Sequence, residues 1–190
     1  MNRRVFLIHS SLAALAPATL TPSKKTGIVV DNRFLNHKIH NHHPESPQRL
    51  QFLYNYFEKS GITDQLTLIP PRFATVEDLS LIHSSKHIQS ILKIPLSGKI
   101  ASLSVGAGLS AIDAVMNGKV KNAFCAIRPP GHHALNNGIE DGFCYFNNVA
   151  IGARYIQKKH SLNKILIIDW DYHHGNSTEW AFYQDPSVLF

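Results

Sequence analysis

Two short stretches of this 190-residue chain gather side chains able to move protons or hold a metal ion. In Asp169-Trp170-Asp171-Tyr172-His173-His174-Gly175-Asn176, the residues Asp169, Asp171 and His173 fall at i, i+2 and i+4. Alternate side chains of extended backbone project to one face, so two carboxylates and an imidazole converge there. A catalytic zinc takes three protein ligands of N or O type and keeps one position open for water or substrate. This stretch can supply two of them, leaving the other carboxylate to hold a histidine in place. The structural alternative is an Asp pair that is solvated or caps the next helix. The second stretch, Arg128-Pro129-Pro130-Gly131-His132-His133-Ala134, sets adjacent imidazoles on a turn stiffened by two prolines and a glycine. Such a turn can hold an imidazole near a metal-bound water as general base.

Both stretches need strand ends to carry them. Apolar, β-branched runs predict strands over 26–31, 66–71, 122–127 and 164–171, with another beginning at 187–190. Helical spacing predicts helices over 48–61, 75–92, 105–118 and 148–160. Gly61 and Asn117-Gly118 stop two of these, and Thr75 with Asp78 resembles a capping box at the start of a third. Strands lacking clear alternation and separated by helices predict an α/β domain whose parallel sheet is covered on both faces. In such sheets the ligand crevice lies outside the carboxyl ends of the strands. The histidine turn follows the strand 122–127, and the Asp-His stretch finishes the strand 164–171. The polar segment 31–48 reads as a long loop of the kind that is more often functional than idle.

Composition sets the outer limits. At 44% hydrophobic the chain can bury one sizeable core. The 19 Lys and Arg against 13 Asp and Glu give a net charge of +6, but the cations form no stripe interleaved with aromatics, so no nucleic-acid partner is expected. Cys125 and Cys144 belong to no CxxC motif and read as buried free thiols. The N-terminus carries Arg3-Arg4, an apolar run and Ala16-Pro17-Ala18, the layout of an export signal over 1–18 that also resembles the twin-arginine type. The run is too short to span a bilayer permanently. Export to the periplasm is therefore expected, with a cytoplasmic protein as the alternative. The mature chain would begin near Thr19.

Five stretches occurring in family order give the chain a resemblance to the histone deacetylase and acetylpolyamine amidohydrolase superfamily. They are HPESPQR at 43–49, IHSSKHIQSI at 82–91, RPPGHHA at 128–134, GFCYFNNVAIGAR at 142–154 and DWDYHHGN at 169–176. The wording is similar to the class II and bacterial branch. The resemblance implies an arginase/deacetylase-like α/β fold, with 26–190 forming the N-terminal part of the domain. It implies that Asp171 and His173 are zinc ligands, that His133 is the general base, and that His132 is its electrostatic partner. Asp169 would hydrogen-bond His132, and Asn176 would sit behind His133. Gly142 and Phe143 would line a narrow channel for an acyl-lysine, an acetylated polyamine or another small acyl-amine. Backbone carbonyls around Asp169, Asp171 and His173 would hold a structural potassium ion (K+). The implied chemistry is amide hydrolysis assisted by zinc (Zn2+).

The family's third zinc ligand, an Asp, and its oxyanion-stabilising tyrosine lie downstream of residue 190 and have no counterpart here. The expectation is therefore a deacetylase truncated at its C-terminus and incomplete in this chain. The alternative is a non-catalytic remnant or binding module of the same fold. A binuclear-manganese ureohydrolase of related fold fits badly, because its metal sites need more Asp ligands than these motifs offer.

Overall fold

The most deeply buried strand takes the centre of the larger sheet. In the computed structural model, which describes residues 26–190, β1 (Thr26–Val29) lies between β2 (Thr67–Leu68) and β3 (Asn122–Cys125) and runs parallel to both. A separate parallel pair joins β4 (Ile165–Leu166) to β5 (Val188–Leu189). The export segment expected over 1–18 lies outside the described residues.

Six α-helices among the described residues flank these sheets. α1 (Pro47–Ser60) starts with a proline in its first turn and stops at Gly61, whose φ of 65° is left-handed. α4 (Ser97–Met116) is the axis of the fold. Its Ile100, Leu103 and Ala107 join one core with Val29, Phe34 and Leu50, while Ala101, Val105 and Leu109 join a second core with Ile88, Ile91 and Phe146. A helix buried on two sides has little need of a polar face, so α4 has the length and apolar character of a membrane span while serving as a core helix. α5 (Asn148–His160) packs along it, and Asn147 caps α5 by accepting from the Ala150 N–H at 2.9 Å. The α/β architecture expected from the sequence, a parallel sheet flanked by helices, is the one observed.

Local details differ from the sequence reading for identifiable reasons. The helix expected over 75–92 is two helices, α2 (Val76–Leu79) and α3 (Ser85–Leu92). The Thr75/Asp78 capping box is present, but a second cap, Ser84, accepts from the His87 N–H at 3.3 Å and restarts the helix. α4 begins at Ser97 instead of residue 105, because buried Ser97, Ser102 and Ser104 find tertiary partners that replace an apolar pattern. The strand at 122–127 is not fully buried: Phe124 is exposed and meets Phe57 edge-on at 6.2 Å. Within 164–171 only Ile165–Leu166 forms ladder structure, although the Ile167 N–H still reaches the Leu189 carbonyl at 2.8 Å. The segment 31–48 contains a 3-10 turn at Asn32–Asn36 that buries Phe34. A further helix, α6 (Asn176–Phe182), follows the Asp-His stretch. Cys125 and Cys144 are free, and burial pushes their thiols up to about 11 and about 12.

Candidate active site

The histidine turn leaves β3 under close control. The Tyr54 hydroxyl donates to the Ala126 carbonyl at 2.7 Å, and Ser104 Oγ and Asn148 Nδ2 donate to the Pro129 carbonyl at 3.1 and 3.2 Å. The Arg128–Pro129 peptide is cis. Gly131 allows a close approach: a Cβ there would lie 2.5 Å from the Phe146 carbonyl oxygen. Beyond the turn, Ser177 at the start of α6 donates its N–H to the His132 carbonyl at 3.0 Å and its hydroxyl to the Ala134 carbonyl at 2.5 Å. The two imidazoles are thus pinned from both sides of the chain.

Each imidazole has its own oxygen partner. His132 Nδ1 lies 2.9 Å from Asp169 Oδ2, and His133 Nδ1 lies 2.7 Å from Asn176 Oδ1. An oxygen acceptor at Nδ1 places the proton there and leaves Nε2 as the other nitrogen of the ring. His133 is therefore oriented by a neutral amide and His132 by a carboxylate. The rings are 4.1 Å apart, centre to centre. Gly142 presses against His133, since a Cβ at this residue would stand 2.4 Å from His133 Cδ2, and its φ of 50° also favours glycine. Phe143 follows in the left-handed region at φ 69°, its N–H bonded to the Glu140 carboxylate.

At the end of β4 the alternation expected for 169–173 holds. Trp170 and Tyr172 point away and are 90% and 96% exposed, while Asp169, Asp171 and His173 face the histidine turn. Asp171 Oδ1 accepts from the His173 N–H at 2.7 Å and lies 3.1 Å from His173 Nδ1. The His173 backbone N–H, followed by the side-chain bond, holds the Asp171 carboxyl below the usual carboxylate range. His132 Nε2 stands 3.9 Å from Asp171 Oδ1.

Six of the eight residues singled out in the sequence, His132, His133, Gly142, Phe143, Asp171 and His173, line one cleft of about 630 Å³. The other two, Asp169 and Asn176, bond the histidines themselves. The sequence reading gave no role to Glu45 or Arg128, which also reach this cleft and bond each other. Both stand inside recognised motifs, HPESPQR and RPPGHHA, and their opposite charges were the available signal.

The donor chemistry at Asp171 and His173 suits zinc. Two ligand atoms bonded at 2.0–2.1 Å to one tetrahedral zinc lie about 3.3 Å apart, close to the 3.1 Å between Asp171 Oδ1 and His173 Nδ1. Among the described residues no group of three or more His, Cys, Asp or Glu side chains is placed to hold a metal, so the fit extends to two ligands.

A parallel α/β fold thus brings paired imidazoles and an Asp-His corner together beside two strand ends, a grouping able to move protons. Residues 43–190 match the family model described as Histone deacetylase domain, and the chain belongs to that family. It is 36% identical over 167 residues to polyamine deacetylase HDAC10 of Danio rerio, across 77% of this chain and 25% of that protein. It is 32% identical over 228 residues to histone deacetylase 7 of Homo sapiens, across 95% of this chain and 24% of the relative. Histone deacetylase 9 of Homo sapiens is likewise 32% identical over 238 residues. The chain spans about a quarter of the length of the curated relatives it matches.

Proposed function

We propose that these residues form the acid-base half and two metal ligands of a zinc-dependent deacetylase. The observation that carries the reading is the tethering of His133 through Nδ1 to Asn176 in the cleft that also receives Asp171 and His173. Asp171 and His173 would hold zinc, whose chemistry when bound is to polarise a carbonyl and acidify water. His133 Nε2 takes a proton from the water that attacks the amide carbonyl and delivers one to the departing amine. His132, bonded to Asp169, lies beside this ring and supports it electrostatically. Gly142 and Phe143 form the channel wall on the His133 side. On the same reading, backbone carbonyls around Asp169, Asp171 and His173 hold a potassium ion.

The substrate class is an acyl-lysine, an acetylated polyamine or another small acyl-amine. Both a polyamine deacetylase and histone deacetylases are among the relatives. Export directed by residues 1–18 favours the small acyl-amines over chromatin, since it removes the protein from that compartment. The remaining metal ligand and the oxyanion donor come, on this reading, from polypeptide outside the described residues.

A second reading is a non-catalytic binding module of the same fold. It is favoured by the two-ligand count and by the exposure of Asp171 and His173, whose side chains are 49% and 69% accessible. Zinc content by elemental analysis, combined with hydrolysis of acetylspermidine and an acetyl-lysine peptide, separates the two. Stoichiometric zinc with turnover that His133→Ala abolishes supports the enzyme. Protein without zinc or turnover supports the binding module.

A further inference from the structure

The loop before α1 wraps a single cation. Arg128 immediately precedes the Pro-Pro-Gly turn and is only 4% exposed. Its Nε and Nη2 donate to Glu45 Oε1 and Oε2 at 2.8 and 2.5 Å, and Nη2 also reaches the Glu45 carbonyl at 3.4 Å. Nη1 donates to the carbonyls of Phe34 and His37 at 2.9 and 2.6 Å. A guanidinium has five N–H donors, and all five are used on this one loop. Glu45 is equally buried. His37 closes the arrangement, its Nδ1 3.1 Å from Ser97 Oγ and its Nε2 3.6 Å from Glu45 Oε2.

What the loop carries gives this clamp its consequence. Pro44 and Ser46 of the loop line the cleft together with His132, His133, Asp171 and His173. The His43 ring stands edge-on to Phe143 at 4.5 Å. Neither Arg128 nor Glu45 bonds an imidazole of the turn. We propose that Arg128 and Glu45 are a positioning pair that fixes the loop 31–46 as the cleft wall opposite the histidine turn, and so governs how tightly an acyl-amine is gripped. The pair takes no part in proton transfer. This inference rests on the deacetylase reading for its substrate, and on the hydrogen bonds alone for its mechanical content.

The test is the double variant Arg128→Met/Glu45→Met. Removing both charges strands neither, and apolar replacement of a whole buried pair is often tolerated. The carbonyls of Phe34 and His37 nevertheless lose their donor. Lys38, exposed within the loop, is the probe. Tryptic cleavage after Lys38 is expected to accelerate about tenfold or more, with cleavage after Lys158 and Lys159 unchanged, because proteolysis follows the population of local openings. With an acetyl-lysine peptide, KM is expected to rise about tenfold while kcat stays within about threefold, the signature of lost binding rather than lost chemistry. His133→Ala should show the reverse split, with Lys38 still protected.

A folded double variant with Lys38 protected as in the wild type overturns the proposal, as does a fall in kcat at constant KM. Should the double variant not fold, Arg128→Lys replaces it, since lysine keeps the charge with three donors instead of five. Intermediate cleavage after Lys38 then supports the clamp, and full protection overturns it. If the wild-type protein hydrolyses no acyl-amine, the deacetylase reading falls, while the Lys38 rates still decide whether the pair holds the loop.

Discussion

Gly142 lies close against the His133 side chain, with the place of its missing Cβ only 2.4 Å from His133 Cδ2. The other side of the relationship is the 2.7 Å contact from His133 Nδ1 to Asn176 Oδ1. One residue fixes which nitrogen carries the proton, and the other fixes where the ring can go. Gly142→Ala should therefore be costly twice, through the clash and through its φ of 50°. A loss of about 1–3 kcal/mol in urea unfolding is expected. Gly108→Ala is the control, since nothing lies within 4 Å of a Cβ there, and it should stabilise α4 by about 0.5–1 kcal/mol.

Replacing Asn176 with Ala removes the acceptor that sets the His133 tautomer. The expected result is a mixture of Nδ1–H and Nε2–H forms, read from long-range proton–nitrogen NMR of labelled imidazoles. Where turnover is measurable, it should fall about 10–100-fold, the usual cost of losing a partner that orients a functional histidine. Asn176→Asp, which restores an oxygen at the same place, should return the single tautomer.

Zinc should stabilise the fold through Asp171 and His173. A ligand that binds the native state alone adds about 2.7 kcal/mol when present at 100 times its Kd. Thermal scans with and without zinc should show a rise in Tm that chelator reverses. Asp171→Asn and His173→Ala should each remove most of that rise, while Asp169→Asn should retain it. An equal zinc response in all three variants would place the ion elsewhere.

The placement of these side chains shows which kinds of information a sequence carries on its surface. The alternation of Asp169, Asp171 and His173 against Trp170 and Tyr172 is local, and the period of a strand was enough to find it. The parallel α/β class was legible from the opposite pattern, apolar runs without alternation such as 26–31 and 164–171 separated by helical segments. The Glu45–Arg128 pair is different, because 83 residues separate its members and no periodicity links them. The break between α2 and α3 was also hidden. It depends on His83 accepting the Asn147 N–H at 2.9 Å and on Asn136 accepting the Ser84 N–H at 2.9 Å, both contacts made by distant chain. Helical period continues through Ser80–Ser84, but tertiary hydrogen bonds decide where the backbone turns.

Those same contacts predict an acid-labile fold. His83 and His87 stack at 4.7 Å, and each accepts a backbone N–H on one nitrogen, from Asn147 and Gly138 respectively. Protonation would set a donor against a donor. Burial, followed by the neighbouring His87, depresses His83 from 6.5 to about 4, and burial depresses His37 to about 4 as well. A group whose pKa is lowered on folding contributes fully above its unfolded pKa, and the contribution is lost as pH falls toward the folded value. Stability should therefore be level near pH 7 and decline steadily between pH 6.5 and about 4, with His83 alone responsible for on the order of 3 kcal/mol. Urea unfolding at intervals across this window checks the slope. His83→Gln, which cannot take up a proton, should start from lower stability at pH 7 and fall less steeply below pH 6.5. An equal slope in that variant would move the acid sensitivity to the carboxylates.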